Sequence, residues 1–355
     1  MRTAIAVAMA ALLTACAATA PESRPDRTAP VVLPDGYTES PNRSDSCANA
    51  PVSVDPRNGA QGGDGKPTGN KVNLIRQENE LVIGVSQTAP FFSKRDLVTG
   101  TLQGFEIDIA NRIAAALLPN FTPGDPRLRL VTLPTGNRLY SLDTDKNSAA
   151  RQAKPERSEV PNVDMVIADV SITCARERDY GLRYSIPYLS TNSGLLVRAG
   201  LKNVAGPADL GGRKVCSGDR TTNSDEMIDL RNQQRTARKP EVKPVAVADT
   251  SECLMLLQRG LVDAIYTDVL ILEGYRQQDP GAVVLDYHDT DDGKGLGAAG
   301  IAMSGRADQE DLIRFVNSVL GDMRADGSLQ RAYDEHFKEV PQRHRLPLPG
   351  NPYRG

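Results

Sequence analysis

The sequence predicts an α/β protein in which short strands alternate with helices. Two observations lead there. Apolar runs of strand length recur between Leu81 and Met303, and hydrophobic residues at helical spacing separate several of them. Leu81–Val85 is the first strand, and Ile109, Ile113, Ala116 and Leu117 then mark one face of a helix. Strands are expected at Leu128–Leu133, Val163–Ala168, Gly194–Arg198, Lys214–Cys216, Val242–Val247, Val262–Thr267 and Ile301–Met303. Ser251–Arg259 reads as a helix with a Ser or Thr N-cap, stopped by Gly260. Asp308–Arg324 and Ser328–Phe337 read as the closing helices, and Asp143–Asn162 as a polar surface loop. Such alternation implies βαβ units and mostly parallel sheets.

The N-terminal segment sets the compartment. Arg2 precedes an apolar run, Ala4–Leu13, of signal-peptide length and too short to span a bilayer. Leu13-Thr14-Ala15-Cys16 is similar to a bacterial lipobox. That likeness implies cleavage of residues 1–15, a lipid on Cys16, and an exported protein anchored at the outer face of the cell membrane. Residues 16–71 are rich in Pro, Gly, Ser, Asp and Asn and read as a disordered tether.

Composition excludes several functions. A formal charge of -3 lacks the basic excess of a nucleic-acid binder. An aromatic content of 5%, with no tryptophan, weakens any role that relies on stacking platforms. Three histidines and five scattered cysteines, without CxxC or HxxxH, predict neither a metal site nor a cofactor.

A series of blocks in a fixed order narrows the reading. Gly104-Phe105-Glu106-Ile107-Asp108-Ile109, followed by Ile113, Ala114 and Leu117, resembles the signature of extracellular solute-binding proteins of family 3. Further similar blocks are Leu81–Val85 with Pro90-Phe91, Val163-Asp164 through Ser171-Ile172-Thr173 to Arg176, and Tyr184–Tyr188. Leu210–Val215 with Thr221-Thr222, and Val262-Asp263-Ala264 with Asp268, complete the set. Within the family, the chain is most similar to actinobacterial glutamine/glutamate-binding lipoproteins.

The resemblance implies a two-lobe, periplasmic-binding-protein-like (type II) fold with two crossover strands and a ligand cleft between the lobes. Lobe 1 would comprise residues 72–187 and 296–340, and lobe 2 residues 188–295, leaving 341–355 as a tail. Ligands of open α/β sheets sit at the carboxyl ends of strands, consistent with such a cleft.

The chemistry of the cleft follows from the ligand class. A free α-amino acid carries a carboxylate and an ammonium on one carbon, and each needs an opposite charge once water is removed. Arginine clamps a carboxylate through its planar fork, and aspartate accepts an ammonium. Arg176 and Asp268 each follow a predicted strand end, and the resemblance gives them these two roles. It also implies that Ser171, Thr221 and Thr222 contact the α-carboxylate, that Arg138 reaches a side-chain carboxylate, and that Phe91 or Phe92 covers the ligand's aliphatic stem, with plain core packing as the alternative for such a phenylalanine. Three residues depart from the family pattern. Ser86 replaces a charged side chain; Arg220 stands in place of glycine; Asp169 occupies a position that is usually small or hydroxylated. Arg220 and Asp169 could pair with each other or alter ligand preference.

With Cys16 lipidated, Cys47, Cys174, Cys216 and Cys253 allow three pairings. The lobe division that the resemblance implies puts Cys216 and Cys253 together, so the expected bonds are Cys216–Cys253 and, by elimination, Cys47–Cys174. The expected function is capture of glutamate, aspartate or glutamine by a monomer that passes it to an ABC permease. An amino-acid sensor with a membrane signalling partner uses the same clamp. A dehydratase on the same fold would need a general acid or base in the cleft, where Asp169 is the one candidate.

Overall fold

The computed structural model describes residues 53–142, 159–287, 296–350 and 353–354. Within them the chain runs through Ser53–Val54 (β1), helix Asn70–Glu78 (α1) and Leu81–Val85 (β2). The short strands Thr88–Ala89 (β3), Ser93–Arg95 (β4) and Leu102–Gln103 (β5) lead to helix Phe105–Leu117 (α2). Leu128–Thr132 (β6), Met165–Ile167 (β7), helix Cys174–Asp179 (α3), Leu182–Tyr184 (β8) and Leu189–Thr191 (β9) follow. Next come Ser193–Arg198 (β10), Lys214–Gly218 (β11), helix Thr222–Thr236 (α4), Lys243–Val247 (β12) and helix Glu252–Gln258 (α5). Ala264–Asp268 (β13), helix Val269–Gln278 (α6) and Ala282–Val284 (β14) come before the return through Gly297–Ala299 (β15). Ala302–Ser304 (β16), helices Glu310–Ala325 (α7) and Ser328–His336 (α8), and Tyr353–Arg354 (β17) are the last described elements.

Ten of the strands form two five-stranded sheets, ordered β6-β2-β7-β16-β8 and β12-β11-β13-β10-β14. In the first, β2 lies parallel to both β6 and β7, with Val85 opposite Thr132 and Ile167. In the second, β11 lies parallel to β12 and β13. The connecting strands β9 and β15 pair antiparallel, Thr191 opposite Gly297, so the chain crosses out and back side by side. Each sheet with its helices is one lobe.

Helix α2 shows how local sequence builds the first lobe. Phe105, Ile109, Ile113 and Leu117 are buried on one face, while Asp108 and Arg112 are exposed on the other. The amides of Phe105 and Glu106 donate to the carbonyls of Phe91 and Phe92 (2.8 and 2.9 Å), so the loop's own backbone caps the helix. Only glycine suits position 104, whose φ is 142° and where a Cβ would lie 2.4 Å from the Phe92 carbonyl oxygen.

Three expectations need correction. Residues 53–71, assigned to the tether by composition, are folded. The buried Ser53 hydroxyl donates to the Tyr184 carbonyl (2.7 Å), and Asn317 donates to the Ser53 hydroxyl and the Val54 carbonyl (2.8 and 2.7 Å). Local composition cannot reveal a segment whose polar groups are satisfied 131 and 264 residues away. The expected tail is likewise seated, for His344 is fully buried against Glu273 of α6 with Nδ1 2.6 Å from Oε1. Ser251 makes no side-chain cap for α5; instead the Asp249 carboxylate accepts from the amide and hydroxyl of Ser251. Cys216 and Cys253 form a disulfide between β11 and α5. Residues 1–52, with Cys16 and Cys47, and residues 143–158 of the expected surface loop lie outside the described residues.

Candidate functional site

The two lobes meet across a polar cavity whose walls come from strand ends of both sheets. They touch directly around it. The Thr250 amide donates to Thr135 Oγ1 (3.2 Å), the Gly136 amide to the Ala248 carbonyl (3.1 Å), and Thr88 Oγ1 to Asp249 Oδ1 (2.9 Å). The cleft is therefore closed in this structure.

Arg176 enters from lobe 1. The strand pairing ends at Ile167, and Ser171 bridges Ala299 of the crossover strand β15, which holds the following turn against the hinge. Thr173 caps α3 by accepting from the Arg176 amide (3.2 Å), and the Arg176 guanidinium donates to the Ser171 carbonyl (2.9 Å) and, across the cleft, to the Arg220 carbonyl (3.2 Å). Asp268 enters from lobe 2 at the end of β13 and heads α6, with Asn223 Nδ2 3.5 Å from its Oδ1. Thus the cation and the anion that the sequence nominated stand on opposite lobes and line one cavity.

Ser171 and Thr222 also meet across the cleft, their hydroxyl oxygens 3.4 Å apart. The Thr221 hydroxyl accepts from the Ser224 amide and donates to the Gly218 carbonyl, so it is committed to capping α4 although the residue lines the cavity. Ser86 is buried at the cavity wall, where its hydroxyl accepts from the Thr88 amide (3.2 Å).

Asp169 lines the same cavity as Asp268. It occupies the left-handed region (φ 48°), which explains why a small residue suits the position. Its amide donates to Glu106 Oε1 (2.6 Å) and to the Tyr188 hydroxyl (3.1 Å), while Tyr188 donates to the same Glu106 oxygen (2.5 Å). Burial and the neighbouring Asp169 carboxylate push the Glu106 carboxyl up to about 7. Burial, then the Asp268 carboxyl, hold Asp169 well above the ordinary carboxylate range. Arg138 donates to the Ala168 carbonyl (2.7 Å), and its Nε, buried in the same region, has no hydrogen-bond partner.

Arg220 also has a left-handed backbone (φ 58°), the conformation a glycine would take there. Its guanidinium pairs with Asp219 (2.7 Å), donates to the Gly136 carbonyl across the cleft (3.2 Å) and stacks over Tyr140 (5.2 Å). Arg220 thus pairs with Asp219 rather than with Asp169: it ties the lobes at the rim, and Asp169 lines the cavity with Asp268.

Phe91 is a correction. It lies outside the cavity lining and packs on Phe337 (ring centroids 5.8 Å apart). Its left-handed φ of 66° goes with the backbone turn that presents the Phe91 and Phe92 carbonyls to α2. Ala89 from lobe 1 and Ile271 and Tyr275 from α6 supply the apolar lining instead. The sequence reading also missed Glu106 as the support of Asp169, and Thr135, Asp249 and Thr250 as cleft residues. A buried acid within the apolar Phe105–Ile109 run was the one available signal. Nothing local marked the others, because their partners lie on the opposite lobe.

A family model described as bacterial extracellular solute-binding proteins, family 3, matches residues 152–339, more than half of the chain. The ABC transporter glutamine-binding protein GlnH of Bacillus subtilis is 24% identical over 268 residues, which cover 75% of this chain and 84% of that protein. The glutamate-binding protein GluB of Corynebacterium glutamicum is 27% identical over 283 residues, covering 78% of this chain and 84% of that protein. Among solved structures, an ancestral arginine-binding protein bound to glutamine aligns with a TM-score of 0.56 at 25% identity, covering 73% of this chain and 98% of that one. Two sheets joined by paired crossovers, a charged cleft between them and the family match lead to one assignment: this chain belongs to the bacterial extracellular solute-binding proteins, family 3.

Proposed function

We propose that the protein captures a free polar or acidic α-amino acid (glutamate, aspartate or glutamine) and delivers it to an ABC importer. It would do so as a monomer, exported and held at the membrane by a lipid on Cys16. The observation that carries the ligand class is the placement of Arg176 and Asp268 on opposite lobes of one cavity. A zwitterion lying between them pairs its carboxylate with the guanidinium and its ammonium with the carboxylate. The Arg176 guanidinium belongs to one lobe and the Asp268 carboxylate to the other, so a ligand held by both favours the closed form by the contacts it makes with the second lobe. The buried Arg138 Nε, without a hydrogen-bond partner, supports an acceptor on the ligand side chain, as glutamate, aspartate or glutamine would provide.

Thermal unfolding of the protein carrying Cys16→Ser, screened against the twenty amino acids, tests this reading. Ligand at a hundred times its dissociation constant adds about 2.7 kcal/mol of stability, a rise of several degrees. Glutamate, aspartate or glutamine should give that rise. A rise with arginine or lysine alone would remove Arg138 as the selector, and no rise with any amino acid would end the proposal.

A further inference from the structure

We propose that Asp169 is a second wall of the ammonium subsite, forming with Asp268 a split carboxylate clamp that the lobes close around a cation, either the ligand's ammonium or a proton. The inference rests on the reading of the cleft as an amino-acid site and adds to it a coupling between ligand, lobe closure and protons.

Three observations carry it. First, the two carboxyls come from opposite lobes, Asp169 just beyond β7 and Asp268 at the end of β13, and in the closed cleft they line one cavity, where the Asp268 carboxyl helps to raise that of Asp169. Two carboxylates closed into one cavity repel each other, so without ligand the closed form favours a proton on the pair. Second, Asp169 Oδ1 is buried without a hydrogen-bond partner. A buried acceptor of this kind is costly unless a donor arrives, and an ammonium brings three. Third, Asp169 is held in place from behind. Its amide is anchored on Glu106 Oε1 and the Tyr188 hydroxyl, and its backbone is in the left-handed region. The carboxyl therefore cannot easily withdraw as the lobes close.

The charged and titratable neighbours of Asp169 are Glu106 on α2, Tyr188 before β9, Asp268 on β13, and Arg138 and Arg176 of lobe 1. Glu106 and Tyr188 are buried within lobe 1 next to Phe105, so their surroundings are much the same whether the cleft is open or closed. Asp169 and Asp268 change theirs most, because each faces the other only on closure. The closed, ligand-free form thus carries a proton that the open form gives up. Closure without ligand is favoured at low pH and lost as pH rises through the raised value of the carboxyl pair. An arriving ammonium displaces that proton, so ligand affinity rises with pH over the same window, which begins above about 4, the ordinary carboxylate value.

Small-angle scattering of the ligand-free protein between pH 5 and pH 8, and titration calorimetry with L-glutamine and L-glutamate over the same range, test the clamp. Asp169→Asn is the informative variant, because asparagine keeps the side-chain size and tolerates the left-handed backbone. The wild type should open as pH rises and should bind its amino acid up to tenfold more tightly per pH unit, releasing a proton. Asp169→Asn should stay closed over the range and bind with a flat pH profile. A variant that opens over the same range as the wild type would overturn the clamp. So would amino-acid binding with the same pH profile in both proteins, and that result would leave the proposed function intact. If scattering shows the expected difference while neither amino acid binds, the clamp stands and the choice of ligand fails.

Discussion

Arg176 spends two of its donors on carbonyls, one in each lobe, and lines the cavity. Its side chain is partly exposed and belongs to the short helix α3, so removing it costs the fold little and the ligand much. Arg176→Ala is expected to weaken amino-acid binding by ~2–5 kcal/mol, as when one partner of a buried charge pair is truncated. Calorimetry on a variant whose melting temperature is preserved measures this; an unchanged dissociation constant would place the carboxylate elsewhere. Residues of this kind were legible because the charge follows a strand end inside an ordered set of blocks. Asp169 was legible only as an oddity. Its partner Asp268 lies 99 residues away on the other lobe, and no spacing within the sequence brings the two together. The misplacement of Phe91 has a similar origin: a left-handed backbone turns the residue toward Phe337, and residue type alone does not report φ.

At the scale of elements, long periodic segments were the most readable. The apolar stripe of α2 and that of α7, with Leu312, Phe315, Val316, Val319 and Met323 buried, follow helical spacing and declare themselves. The crossover strands β9 and β15 did not. Each spans three residues, and their ladder joins only the two of them among the described residues, apart from the single bridge of Ser171 to Ala299, so neither carries enough periodicity to be seen. The loop before α2 shows how one residue governs an element: Gly104→Ala would place a methyl group against the Phe92 carbonyl in a backbone region that alanine avoids. Destabilisation of ~2–4 kcal/mol is expected, with loss of the amide contacts that cap α2. Denaturant unfolding checks this, and a midpoint equal to that of the wild type would show that the loop relaxes without cost.

Across the whole molecule, the C-terminal segment ties the halves together. After α8, which packs beside α2 in lobe 1, the chain crosses to lobe 2. There His344 contacts Glu273, which also pairs with Arg276 (2.7 Å), and the Pro347 carbonyl accepts from Ser190 of β9 (2.6 Å). His344→Ala leaves a cavity and removes one partner from a buried carboxylate, so a loss on the order of 2–4 kcal/mol is expected. Chemical denaturation monitored by circular dichroism suits a chain without tryptophan; an unaltered midpoint would mean that the tail rides on the surface.

Strand and helix periodicity, the order of the blocks and the residue types at strand ends are properties of neighbours along the chain. From them came the α/β class, the family likeness and the nomination of Arg176 and Asp268. The folded state of residues 53–71, the meeting of Asp169 with Asp268, and the Arg220 tie across the rim depend on contacts between residues 44 to 264 positions apart. The first needs the assembled first lobe, whose Tyr184 and Asn317 meet Ser53; the other two exist only once both lobes have met, because burial and charge in a cleft are properties of both walls together.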